Sequence, residues 1–555
     1  MNVPARVASG DRLYRDVVHY YGPVGPWIEA AALRIFGRRL EVLEALGLLA
    51  AVLLFVSLWR LTARAGNAVA ATLAATWAAA LCLGAPNGGS FLFPYAFDAL
   101  FAIAGGFFGL MLAAEPPTAA RSAGAAAGIA LALSAKPEVG AAALVGLLAA
   151  AARDRGTPRA RAAVRIAAAG AGAAAALWIA AVAGLPRSAL FPEGPGALFA
   201  PPAEWRAVYR AISGLADPAG GLSAVATALF LDAALLAAIL LAARAAVAAP
   251  RAAAAGWAAL VAAATAGLAR PWAGVEDRLP TLLAPMPLAA AAGALWLLRE
   301  PFDEARRARF LLYAFTAALA SRVVLGVHYG AVTTPYAILA VPGLAATAAV
   351  LALETLPART RFPAAFRRAA AVVFLAVAAL AVVRWRRLLP PSSAAPVRTR
   401  AGSLLLPRER AAALDGALSY LAAAARPGDS LSGFPEAGFV NFVTGLRNPL
   451  REEQILPGHL DAASERRVVD RIESDRTGPR FVVLVNQGAP AFGAVAFGRD
   501  YAVEIWRAVE RRYRLAATFG PGPPDASVGD PRFFIRVYER APPAAASGAE
   551  REPGT

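Results

Sequence analysis

Between about Leu40 and Val383 the chain repeats one pattern: an apolar stretch of near twenty residues, then a short polar or Arg-bearing connection. Each stretch is long enough to cross a hydrocarbon core of about 30 Å, where a helix satisfies its own backbone polar groups. The pattern predicts spans at roughly 41–59, 67–85, 96–114, 122–135, 139–152, 166–184, 223–243, 255–269, 281–298, 310–326, 337–354 and 369–385, about twelve in all. The fourth and fifth are short and read as a re-entrant or hairpin pair meeting at Lys136-Pro137-Glu138. Ahead of the first span, Trp27–Phe36 is amphipathic and too short to cross, so it reads as a helix lying along a membrane surface. The expected fold class is a polytopic α-helical membrane protein.

After the last span the pattern changes. "LLPPSSAAPVRTRAG" (Leu388–Gly402) reads as a Pro/Ser linker. Beyond it, helical patterns at Arg408–Arg426, Asp461–Asp475 and Asp500–Arg512 alternate with strand patterns at Asp429–Phe434, Phe481–Asn486 and Arg532–Glu539. That alternation predicts a small α/β domain. The chain therefore divides into a first outward loop with its interfacial helix (1–40), a membrane domain (41–386), a linker (387–407), an α/β domain (408–541) and a disordered tail (542–555).

Composition narrows the function class. The 555 residues carry a formal net charge of +17, which alone would suggest nucleic acid. The arginines, however, gather in alternate connections: Arg60 and Arg64, Arg153 to Arg165, Arg299 to Arg309, and Arg359 to Arg368. The connections between those, such as Pro86–Tyr95 and Val327–Tyr336, carry almost none. This is the positive-inside bias, so the charge is topological and nucleic acid is not an expected partner. Cys82, the single cysteine, lies in an apolar stretch and supports neither a disulfide framework nor a zinc site. Arg-rich loops in the cytoplasm put both the opening segment and the C-terminal domain outside. An outside N-terminal loop raises the expectation of a further span ahead of Met1, which would make thirteen.

Candidate chemistry collects in the outward connections. The opening segment brings Asp11, Tyr14, Arg15, Asp16, His19, Tyr20 and Tyr21 together ahead of Pro23 and Pro26, either as a substrate loop pressed on the bilayer or as an aromatic anchor at headgroup depth. Asp98 follows Tyr95 at the start of a span, where a carboxylate is costly; it is either a site residue or a helix cap. Lys136 is the single lysine beside 54 arginines, at an outward apex, suited either to a phosphate or to pairing with Glu138. Arg322, within a span, needs a carboxylate or a ligand phosphate, and His328 and Tyr329 follow it at the same face. Arg270 and the Glu276-Asp277-Arg278 run add charge on that side.

The run G-D-R-L-Y-R-D-V-V-H-Y-Y-G-P-V-G-P-W (Gly10–Trp27), followed by L-R-I-F-G (Leu33–Gly37), resembles the first outward loop of GT-C glycosyltransferases, specifically bacterial relatives of the dolichyl-phosphate-mannose protein mannosyltransferases (glycosyltransferase family 39). "FLFPYAFD" (Phe91–Asp98), "LALSAKPEVG" (Leu131–Gly140) and "FPEAGFVNFVTGLRNPLREE" (Phe434–Glu453) continue the resemblance, which covers nearly the whole chain. It implies transfer of a sugar from a polyprenyl-phosphate-linked donor to an acceptor on the extracytoplasmic side of a bacterial inner membrane. It further implies a carboxylate acting on the acceptor, here Asp16 or Asp98, or one ahead of Met1. Lys136, Arg322 and Arg278 would face the donor phosphate, and no tightly held metal or other cofactor is expected. Two alternatives share these residues: a catalytically inactive relative acting in assembly or binding, and a transporter or flippase.

Overall fold

The computed structural model describes residues 1–83, 90–92, 96–191, 194–249, 251, 256, 281–299, 301–327, 338–388, 393–489, 492–494, 496–521 and 532–542. The chain opens with a short helix α1 (Asn2–Ala8), a loop, and helix α2 (Val24–Phe36). A bundle follows, beginning with α3 (Leu40–Ala65), α4 (Ala68–Cys82), α5 (Phe97–Ala113), α6 (Ala119–Ala135), α7 (Pro137–Arg153) and α8 (Pro158–Val182). It continues through α9 (Ala203–Ile212) and α10 (Pro218–Ala248) to helices at Met286–Leu297, Glu304–Ala320, Val341–Val350 and Pro363–Leu388. Among the described residues five helices are long and apolar enough to cross a membrane: Leu40–Ala65, Pro158–Val182, Pro218–Ala248, Val341–Arg359 and Pro363–Val382. Ala68–Cys82, Phe97–Ala113, Ala119–Ala135 and Thr281–Leu297 are apolar but shorter. The span expected at 255–269 lies almost wholly outside the described residues.

Small side chains set how closely these helices approach. Gly105 and Gly109, four apart on α5, meet Gly128 of α6 so tightly that a Cβ on Gly128 would stand 2.7 Å from the Gly105 carbonyl oxygen. This is the small-residue packing that substitutes for a hydrophobic drive between helices in lipid. Lys136 then separates α6 from α7, with Pro137 opening α7, so the expected hairpin is present with its apex at Lys136.

The two ends of the bundle differ. At one end arginines tie neighbouring helices: Arg64 and Arg121 both reach Glu115 (2.9 and 2.7 Å), Arg159 reaches Glu304 (2.7 Å), and buried Arg307 pairs with Asp154. Arg309 Nε also caps the Ala65 carbonyl at the end of α3 (2.8 Å). The opposite end carries α1, α2, the Lys136 apex and the C-terminal domain.

The segment expected as a linker is more ordered than its Pro/Ser content implied. Ala394–Thr399 (β1) and Gly402–Pro407 (β2) form an antiparallel hairpin, and Leu40 N–H at the head of α3 donates to Ala401 O (2.6 Å). Arg408–Ala424 is helical, and a four-stranded sheet follows in the order β3 (Leu431–Phe434), β4 (Phe481–Val485), β6 (Ile535–Arg540), β5 (Tyr513–Phe519). β3 and β4 are parallel, and the other pairs antiparallel. Alternation along β4 sends Phe481 and Val483 to one core with Leu414 and Leu421, and Val482 and Leu484 to another with Ile472 and Ile505. Covered on both faces, β4 reads in sequence as a continuous apolar run.

Candidate active site

The loop between α1 and α2 is gripped from two sides. From the C-terminal domain, Arg451 O accepts from Val18 N (2.8 Å) and Arg451 Nη2 donates to Tyr14 O (3.0 Å). Arg6 of α1, buried, reaches Asp11 and Glu453 (2.7 Å each) and donates to the Leu450 and Asp16 carbonyls. Arg447 closes on the other oxygen of Asp11 (3.0 Å). From the bundle, Gly22 N donates to Ala135 O (3.0 Å) at the end of α6.

Tyr14 is the keystone of this loop. Its φ of 65° lies in the left-handed region, which costs a bulky residue about 1–2 kcal/mol. Stacking on Trp178 of α8 (6.3 Å between centroids, 5°) and a hydroxyl donated to Tyr21 O (2.8 Å) hold it there, fully buried. Alongside, Tyr20 packs edge-on against Trp205 of α9 (5.0 Å) and His459 (4.8 Å). His459 is buried among these rings, and burial pushes its pKa down to about 4.

Beneath the loop lies Asp98, in the first turn of α5 and 3% exposed. The N-cap is Ala96 and no side chain caps this end by a hydrogen bond, so any helix-end role of Asp98 is the favourable placing of an acid in the first turn. His19 Nε2 approaches Asp98 Oδ2 at 3.3 Å without forming a hydrogen bond, and Asp98 Oδ1, buried, has no hydrogen-bond partner among the described residues. Oδ1 packs instead against the α-carbon of Gly25 on α2, where a Cβ would collide with it. Such an orphaned carboxylate oxygen costs stability unless a water, an ion or a ligand meets it.

Lys136, 2% exposed, lies with Nζ 4.0 Å over the ring of Tyr21 and 3.1 Å from Glu138. Arg322, in a single turn (Ser321–Val323) after the Glu304–Ala320 helix, meets the same Glu138 oxygen at 2.7 Å and stacks over Tyr209 of α9 (5.9 Å). Two cations thus share the Glu138 carboxylate, and the charge of Asp98 is felt at Lys136. Pairing of Lys136 with Glu138, one of the two sequence readings, is present.

The structure brings together His19, Tyr21 and Asp98 with Lys136, Glu138 and Arg322. It turns the other loop acids elsewhere. Asp16 is held by Arg15 (2.9 Å) and by the Arg12 backbone N–H (2.8 Å), and the Arg15 hydrogen bond pulls its carboxyl below the usual range. Asp11 belongs to the Arg6 and Arg447 clamp. Arg15 is exposed. Tyr95, Arg278, His328 and Tyr329, with Arg270, Glu276 and Asp277, lie outside the described residues.

No protein-family model matches the chain, and no curated protein matches it. Among solved structures it is similar to two of an Archaeoglobus fulgidus oligosaccharyltransferase. The first, a complex with zinc and sulfate, is 13% identical, covers 94% of this chain and 67% of that one, and has a TM-score of 0.46. The second, an apo form, is 12% identical, covers 96% and 71%, and has a TM-score of 0.39.

Proposed function

We propose that this is a multi-pass membrane glycosyltransferase, of about twelve spans, that moves a sugar from a polyprenyl-phosphate-linked donor to a hydroxyl acceptor. The carrying observation is Asp98: a buried carboxylate with a free oxygen, at the same bundle end as the Lys136–Glu138–Arg322 cluster and within its electrostatic reach. The resemblance of the Gly10–Trp27 run to GT-C enzymes supports the same reading. The Arg-rich opposite end would face the cytoplasm, which sets the site and the C-terminal domain on the extracytoplasmic face of a bacterial inner membrane.

In the proposed reaction Asp98 takes the proton as the acceptor oxygen bonds to the anomeric carbon. The bond from that carbon to the donor phosphate oxygen breaks, and its electron pair stays with the phosphate. Lys136 and Arg322 receive the charge that builds there, in a site where burial strengthens their pull. No step is assigned to a metal. His19 steadies Asp98, and the loop held over it excludes water from the anomeric carbon.

The test is transfer by the full chain in lipid nanodiscs, with polyprenyl-phosphate sugars as donors and the labelled product followed. Asp98→Asn lowers kcat by about 10²-fold or more, the range of a general base. Lys136→Met raises the donor KM while the protein stays folded. Unchanged kcat in Asp98→Asn removes the base from this site, and sugar lipid that crosses the bilayer without bond cleavage replaces the transferase with a flippase.

A further inference from the structure

Helix α2 carries one acidic residue, Glu29, and it is 4% exposed. Glu29 comes four residues after Gly25, so the two stand on one face of α2, a turn apart. That is the face against which Asp98 Oδ1 is pressed, since a Cβ at Gly25 would collide with Oδ1 and lie 3.3 Å from the Asp98 α-carbon. The charge of Asp98 accordingly acts on Glu29. So does the α-ammonium of Met1 at the head of α1, the other charged group facing it. Asp11, Glu138 and Glu453 each pair with arginine, whereas among the described residues no arginine or lysine pairs with Glu29. Burial, reinforced by Asp98 and opposed by Met1, pushes its pKa up to about 8.

We infer that Glu29 is a neutral carboxyl partner set beside Asp98 by the packing of α2 on α5, with Asp98 the group that accepts the acceptor's proton. The inference rests on the transferase reading for its purpose and on the packing of α2 against α5 for its geometry. A carboxyl buried beside a carboxylate favours its neutral form. A neutral Glu29 leaves a single negative charge beside the reacting hydroxyl and supplies a hydrogen-bond donor to Asp98 or to the acceptor. α2, otherwise an apolar helix at the end of the bundle, thereby becomes part of the site.

The deciding measurement is infrared spectroscopy of the full-length protein in nanodiscs across about pH 6 to pH 10. A protonated-carboxyl carbonyl band that titrates near pH 8 is expected in the wild type and absent in Glu29→Gln. In Asp98→Asn the band persists but its midpoint falls, because the neighbouring charge is gone. A band missing from the wild type, or a midpoint unmoved by Asp98→Asn, overturns the pair. Transfer kinetics supply the second readout: wild-type kcat/KM falls above about pH 8, and Glu29→Gln abolishes that basic limb. A basic limb kept at its midpoint in Glu29→Gln assigns it elsewhere and overturns the role. Absence of transfer from every variant refutes the transferase reading while the infrared coupling still decides the pair.

Discussion

Gly22→Ala tests whether the loop's position, rather than its composition, makes the site. An alanine Cβ at 22 would collide with the Ser134 carbonyl oxygen and stand 2.9 Å from the Ala135 carbonyl oxygen, where ordinary contact begins near 3.4 Å. Both obstacles are backbone atoms in the last turn of α6 and cannot rotate away, so the loop must retreat by about 1 Å. Retreat breaks the 3.0 Å bond from Gly22 N to Ala135 O, worth about 1 kcal/mol net. It also draws Tyr21 off Lys136 and His19 off Asp98, and a shift of about 1 Å in a reacting assembly costs on the order of 10²-fold in rate. Steady-state transfer in nanodiscs should show that loss in kcat, with thermal unfolding confirming a folded protein. Gly172→Ala in α8, where nothing lies within 4 Å of the new Cβ, is the control and keeps wild-type turnover. Wild-type kcat in Gly22→Ala would refute the claim that this contact sets the geometry.

Arg6→Met leaves Asp11 with Arg447 alone and Glu453 with the Asn2 and Asn448 amides, and loss of the buried cation they share costs at most about 3–5 kcal/mol. Limited proteolysis should then cut the 9–23 loop well before the bundle, and equal protection would show the clamp to be dispensable. His459, held neutral by burial, gives stability that is present above its unfolded pKa of about 6.5 and lost as pH falls toward 4. That depression corresponds to about 3 kcal/mol. Trp205 fluorescence should report loosening of the Tyr20–Trp205–His459 contact over that window, and His459→Phe should flatten it. Replacing Arg307 by Leu leaves Asp154 without its buried partner and should lower the unfolding temperature without changing donor KM, since the pair lies at the other end of the bundle.

Much of the bundle was legible because hydropathy has a long period and few competitors. The helices at 97–113, 119–135 and 137–153 fall within a few residues of their expected spans. The loop, Asp98, Lys136, Glu138 and Arg322 were also visible, because charge in apolar surroundings is conspicuous. Three things were not. The 394–407 hairpin hides behind Pro396 and Ser403, since an edge hairpin tolerates residues that usually signal a linker. The clamp through Arg6, Arg451 and Glu453 joins ends of the chain more than 400 residues apart, and no local pattern encodes such a pairing. Glu29 did leave a trace, a lone acid in "WIEAAALRIF", but its meaning depends on which α2 face meets α5.

The bond from Val18 to Arg451 has a temporal meaning. Its partners are 451 − 18 = 433 positions apart, so at about 5–20 residues per second a ribosome needs on the order of 20–90 s between making one and making the other. Throughout that interval the helices can insert while the loop above Asp98 lacks half of its restraints. A nascent chain therefore has its bundle helices before it has the contact that fixes this loop, and the proposed site takes its final geometry late in synthesis.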